Sequence, residues 1–188
     1  TTTLGEIEDG FQYNIEELFG NLKAAQLADA AAAKRGKKLN IHLALNAGGM
    51  DRNGLALDTE SGKADALAIA KLPHLNIVGI MTHFPVEDVA DVKKGVQRFD
   101  EQSKWLIQAA KLDRSKLTLH TANSFTTVSV PEGRFDMVRP GALLYGEPIG
   151  GKQLEYVMAF KSRVGSVNSY PKGSTVGYDR TFTLKRDS

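Results

Sequence analysis

The feature that most limits what this chain can fold into is a rhythm in which short apolar runs alternate with longer amphipathic stretches. Leu39–Asn46 and Asn76–His83 read as strands; the second is nearly continuously apolar, as a strand covered on both faces must be. Leu117–His120 and Phe135–Arg139 read as two shorter strands. Between these runs the spacing predicts helices over Ser61–Leu72 and Asp91–Leu112, the latter turning Phe99, Leu106 and Ala109 inward. A further helix is predicted over Ile15–Ala33, with Asn14 as N-cap, Glu17 completing a capping box and Gly36 at the stop. Such alternation builds βα units on a parallel sheet.

Two α/β architectures fit the rhythm: an open flavodoxin-like sheet and a (β/α)8 TIM-type barrel. The polar residues separate them. His83, the Asn123-Ser124 pair and Arg139 fall at or just after the C-terminal ends of successive strands, and in a barrel those ends form the one rim that carries chemistry. A complete barrel takes roughly 250 residues, whereas this chain has 188. Residues 1–150 are therefore read as the C-terminal half of a barrel, with the other half expected before Thr1. Over 151–188 the period changes to two: Met158–Val167 alternates, Pro171-Lys172-Gly173 makes a turn, and Thr175–Leu184 alternates again. This reads as the beginning of an antiparallel β-domain.

Composition narrows the functional classes. Twenty-four basic residues face 22 acidic ones, a net charge of +2, so no basic stripe for nucleic acid is expected. The absence of cysteine removes disulfides and thiolate metal ligands from this segment, and no metal site is expected. No apolar run is long enough to cross a bilayer.

Five motifs then carry a resemblance. Ala44–Leu55, with Gly48-Gly49-Met50-Asp51-Arg52-Asn53-Gly54 at its centre, resembles the loop of the fold-type III alanine racemase family, in which a Thr-Gly-Met-x-Arg-x-Gly core follows a strand. Gly79-Ile80-Met81-Thr82-His83-Phe84 is similar to that family's next strand and histidine, and His120-Thr121-Ala122-Asn123-Ser124 to its His-x-Ala-Asn-Ser element. Phe135–Gly146 resembles its Asp-x-Val-Arg-x-Gly-x-x-x-Tyr-Gly signature, and Pro171–Tyr178 the loop bearing its catalytic tyrosine. Ala44 and the doubled Gly48-Gly49 look more like the broad-specificity amino-acid racemases than the strict alanine racemases, in which a carbamylated lysine often stands where Ala44 does.

The resemblance implies a pyridoxal 5'-phosphate enzyme that interconverts L- and D-amino acids as a homodimer with shared active sites. It implies catalytic roles for Tyr178, His83 and Arg139, with Tyr178 reaching the partner's site. It places Arg52, His83, His120, Asn123, Ser124, Arg139, Gly141 and Ala142 around the cofactor, Arg52 also facing the substrate. Arg139 is expected to face the pyridine nitrogen, and Ser124, Gly141 and Ala142 the phosphate. The Schiff-base lysine belongs to the first barrel strand; no lysine here stands in that context, so the isolated segment is expected to be inactive. His42 and His74 match no motif and are read as structural. Broad-specificity relatives point to the periplasm, strict ones to the cytoplasm. Two alternatives remain: a pyridoxal-phosphate-binding homeostasis protein without turnover, against which the β segment after Leu154 argues, and a fold-type III decarboxylase, against which Arg139 argues.

Overall fold

The computed structural model describes residues 5–188, which divide into a unit ending at Val157 and a second one, Met158–Ser188. In the first unit the order is α1 (Glu6–Tyr13), β1 (Glu17–Phe19), α2 (Leu22–Lys34), β2 (Leu39–Ala44), α3 (Glu60–Ala70), β3 (Leu75–Met81), α4 (Val89–Ala109), β4 (Thr118–His120) and α5 (Ser124–Ser129). The four strands pair side by side in chain order, all parallel. An α/β parallel sheet is thus what the rhythm produces, and every strand presents its C-terminal end to the same edge.

Helix starts follow local chemistry. Asn21, Thr59 and Asp88 each accept a backbone N–H from the first turn of α2, α3 and α4, satisfying donors that have no partner inside the helix. Ala25, Ala28 and Ala32 of α2 are fully buried; their small side chains let the helix lie close to the sheet. On β2 the side chains alternate: Leu39, Ile41 and Leu43 are buried in the main core with Ile69, Ile80, Phe99 and Leu106, while His42 and Ala44 point to the opposite face. Ile41 pairs with Ile77 but His42 pairs with Gly79, so Val78 is an extra residue, a bulge in β3.

Four expectations are corrected, three in this unit and one in the second. The single helix over Ile15–Ala33 is instead strand β1 followed by α2, and Asn14 is the left-handed C-cap of α1 (φ 54°) rather than an N-cap. Pairing of Glu17, Leu18 and Phe19 with Ile41, His42 and Leu43 overrides the helical spacing. Phe135–Arg139 is not a strand: Phe135 has φ 48°, which breaks extended geometry. The segment is still laid beside β4 by bonds from Asp136 N to Leu119 O (3.0 Å) and Arg139 N to Ala122 O (2.8 Å). Arg114 clamps it, Nη2 donating to both carboxylate oxygens of Asp136 (2.9 and 2.7 Å).

In the second unit the pairing is antiparallel but short, β5 (Thr175–Val176) against β6 (Phe182–Thr183). Met158–Val167, predicted as a strand, forms none, and Phe160, Val164 and Val167 stand exposed. A strand exists only through the hydrogen bonds of a neighbour, and none pairs with this run among the described residues.

Candidate active site

The C-terminal edge of the sheet is where side chains and loops converge. After β2 the chain makes a loop whose ends are closed by Leu55 N to Ala44 O (2.8 Å) and Asn46 N to Leu55 O (2.9 Å). Asn46 and Asp51 bond reciprocally across it, Asn46 Nδ2 to Asp51 Oδ1 at 2.7 Å and Asp51 N to Asn46 Oδ1 at 3.1 Å. This holds the turn from which Arg52 projects. Thr82, buried after β3, donates to Leu45 O (2.8 Å) and accepts from Gly48 N (3.1 Å), tying that loop to the next strand.

Gly48 owes its place to this contact. A Cβ there would lie 2.1 Å from the carbonyl oxygen of His83, far inside any tolerated separation, so the loop brings its backbone against His83 rather than leaving it open. Gly48→Ala is therefore expected to push the Arg52 loop away from β3 and to cost about 1–3 kcal/mol, the usual range for overpacking. Urea unfolding midpoints check it; a midpoint equal to the parent's would mean the loop yields freely.

Arg139 sits at the centre. One Nη1 N–H meets Nδ1 of His120 at 2.8 Å, and Nη2 donates to Thr82 O (3.1 Å) and Thr121 O (3.5 Å). A guanidinium has five N–H groups, so two have no protein acceptor among the described residues. Behind His120, its Nε2 lies 2.8 Å from Nδ1 of His42, and Nε2 of His42 lies 2.8 Å from Oε2 of Glu16. Beside this row a cavity of about 220 Å³ is lined by Arg52, His83 and Arg139 together with Ala44, Asn46 and Met81. A second, of about 450 Å³, shares His83 and Arg139 and adds Asn123, Ser124, Gly141 and Ala142.

Arg52, His83, Asn123, Ser124, Arg139, Gly141 and Ala142 therefore gather round two adjoining hollows; His120 lines neither and stands behind Arg139, and Tyr178 belongs to the second unit and is exposed there. Asn123 and Ser124 serve the fold as well. Asn123 caps α5 through Thr126 N (2.9 Å), and the Ser124 hydroxyl accepts from Gly141 N (3.0 Å) and Leu143 N (3.3 Å). Nothing lies within 4 Å of where a Gly141 side chain would begin, which leaves an open cradle above that backbone.

Electrostatics keep both imidazoles of the site neutral. Burial, then the Arg139 and Arg52 charges, lower the pKa of His83. Burial, then Arg139 and His42, bring His120 down from 6.5 to about 3. Between those two values the unfolded chain takes up a proton that the folded chain refuses, so stability is present above pH 6.5 and falls as the pH drops toward 3. One such group gives a slope of up to about 1.4 kcal/mol per pH unit. Urea unfolding of the parent and of His120→Gln across that window should show the steeper decline in the parent; equal slopes would contradict it.

A parallel sheet edge carrying a half-buried guanidinium, two neutral imidazoles, a hydroxyl and an exposed arginine defines a ligand site of an α/β protein, at the strand ends where such sheets bind. Residues 1–148 match the family described as "Alanine racemase, N-terminal domain", and the chain belongs to that family. A broad specificity amino-acid racemase of Pseudomonas putida is 57% identical over 99% of this chain and 46% of its own length. A lysine racemase of Proteus mirabilis is 49% identical over 97% of the chain and 45% of its own. Among solved structures, an alanine racemase from Bartonella henselae with covalently bound pyridoxal phosphate superposes with a TM-score of 0.70 at 25% identity, over 97% of this chain and 50% of that one. The chain thus spans about half the length of the curated relatives it matches.

Sequence reasoning missed Thr82, His42 and Glu16. Parity was the available signal for His42, which shares with Ala44 the β2 face turned away from the helices; Glu16 had none, because the strand that places it was not foreseen.

Proposed function

We propose that the full-length protein is a pyridoxal-phosphate-dependent racemase of free amino acids with broad substrate range. Its sheet is then an arc of a (β/α)8 barrel, and residues from about 151 onward begin a second, β-rich domain. The observation that carries the reading is the meeting of Arg52, His83 and Arg139 at one cavity, with the Ser124 and Gly141 cradle beside it.

The donor set fits the cofactor. The two unpartnered N–H groups of Arg139 suit an unprotonated ring nitrogen, because a guanidinium can only donate. With the Gly141 N–H held by Ser124 Oγ, the Ser124 hydroxyl proton and the Ala142 backbone beside the open space over Gly141 suit a phosphate, and Arg52, which has no ion-pair or hydrogen-bond partner among the described residues, suits the cofactor's phenolic oxygen and a substrate carboxylate. Pyridoxal phosphate supplies, when bound, the electron sink that makes an amino acid's α-proton removable. The chain's own groups do the rest. Arg139 orients the ring, His83 presents an imidazole kept neutral by burial and by the Arg139 and Arg52 charges, and Tyr178 supplies the acid/base group on one face of the substrate. The lysine acting on the other face belongs outside this segment.

The test follows the optical rotation of one enantiomer of an amino acid, such as L-lysine, incubated with the full-length enzyme and cofactor. Decay to zero is expected. Release of carbon dioxide would make the protein a decarboxylase, and an unchanged rotation with cofactor bound would make it a binding protein; either overturns the proposal.

A further inference from the structure

The row behind Arg139 has more order than a packing contact requires. Arginine only donates, so Nδ1 of His120 must be the acceptor of their 2.8 Å bond. An imidazole that accepts at Nδ1 carries its proton at Nε2, since an imidazolate is out of reach near neutral pH. His120 therefore donates from Nε2 to Nδ1 of His42 at 2.8 Å. His42 in turn must hold its proton at Nε2 and donate it to the Glu16 carboxylate, also at 2.8 Å. One assignment satisfies all three bonds, and every donor points away from Arg139.

The path exists because of a missing side chain. His42 is on β2 and His120 on β4, with β3 between them. The residue of β3 opposite His42 is Gly79, and a Cβ there would lie 2.0 Å from His42 Nδ1, the atom that receives the His120 bond. The bare backbone leaves the gap in which the two rings meet edge to face, 4.9 Å between centroids. Thus four elements and a glycine converge on one chain of contacts that ends at the cavity.

We propose that His42 and Glu16 are positioning residues for Arg139: bridged across Gly79, the Glu16–His42–His120 chain locks both imidazoles as Nε2–H tautomers and so holds the guanidinium in its aim at the cavity. Besides its partners in the chain, the charged group felt by His120 is Asp136, already engaged by Arg114. The effect on turnover rests on the racemase reading; the tautomers do not, and the experiment separates the two.

The full-length protein labelled with 15N-histidine is observed at neutral pH without cofactor. His42 and His120 should both give the neutral Nε2–H pattern; an Nδ1–H or charged form of either overturns the proposal. His42→Phe keeps a ring over Gly79 but removes the acceptor, and should perturb the His120 Nε2 resonance and lower kcat roughly 10- to 100-fold with little change in KM, the scale seen for hydrogen-bonded partners behind functional ligands. His42→Asn, which restores an acceptor oxygen, should recover most of the rate. Should His42→Phe fail to fold, Glu16→Leu at the half-exposed end keeps both rings, and the His42 Nε2 proton should exchange with solvent at least about tenfold faster once its acceptor is lost. An unchanged His120 signal and kcat in His42→Phe, or unchanged exchange in Glu16→Leu, removes the positioning role. If the enzyme proves not to racemise while both tautomers stand, only the functional reading fails.

Discussion

Arg139→Leu in the full-length protein should slow racemisation roughly 10²-fold or more, the scale on which removing one preorganised donor from a reacting centre acts. Three contacts fix this guanidinium to His120, Thr82 and Thr121, so its free N–H groups arrive already aimed. Leucine removes those donors and also leaves His120 Nδ1 without its partner. Arg139→Glu makes the sharper test. A ring nitrogen held by arginine stays unprotonated, because arginine does not give up its proton; a carboxylate in its place favours a protonated ring and stronger electron withdrawal. The share of substrate diverted to transamination should then rise. Arg139→Lys, with one point charge in place of a planar fork, should fall between the parent and leucine. Parent-like rate and transamination share in both the leucine and the glutamate variants would take Arg139 out of the chemistry.

Tyr178→Phe is expected to cost roughly 10²- to 10⁴-fold, the usual contribution of a positioned acid/base group. Tyr178 follows Gly177 (φ 80°) and precedes Asp179 (φ 56°), in a tight loop between β5 and β6. That loop leaves the side chain 97% exposed and free to enter another molecule's cavity. In a homodimer with shared sites the consequence is specific. Mixing Tyr178→Phe with Arg139→Leu, each nearly inactive alone, creates heterodimers in which one site pairs an intact Arg139 with an intact Tyr178. Random exchange of protomers about a twofold axis should restore about a quarter of the parent activity. If mixed variants stay as inactive as their parts, Tyr178 does not act across a subunit boundary.

Much of the first unit was legible because its signals are strong. β2, β3, α3 and α4 are read from the sequence to within a few residues at each end, since apolar runs and helical spacing are local properties; the caps Thr59 and Asp88 are not so read. β1 was not. Three residues beginning with a glutamate carry almost no strand signal, and Leu18, Leu22 and Ala25 continue a convincing helical spacing into α2; only the neighbour strand makes Glu17–Phe19 extended. Phe135–Arg139 looks like a strand in one dimension, yet one left-handed residue turns it into a strap. The gathering of Arg52, His83, Asn123 and Arg139 followed from motif order along strand ends. The connection from His120 to His42 and Glu16 did not, because it depends on register across three strands.

The Val78 bulge has a consequence of its own. In a regular ladder the residue after Ile77 would stand opposite His42, and that residue is valine, whose branched side chain would plug the passage between the two rings. The inserted residue advances β3 by a single notch and delivers glycine to the spot instead. A homologous sheet carrying this insertion one position later would leave Ile41 and Leu43 opposite Ile77 and Ile80 yet set valine against the imidazole, closing the passage between its second and fourth strands.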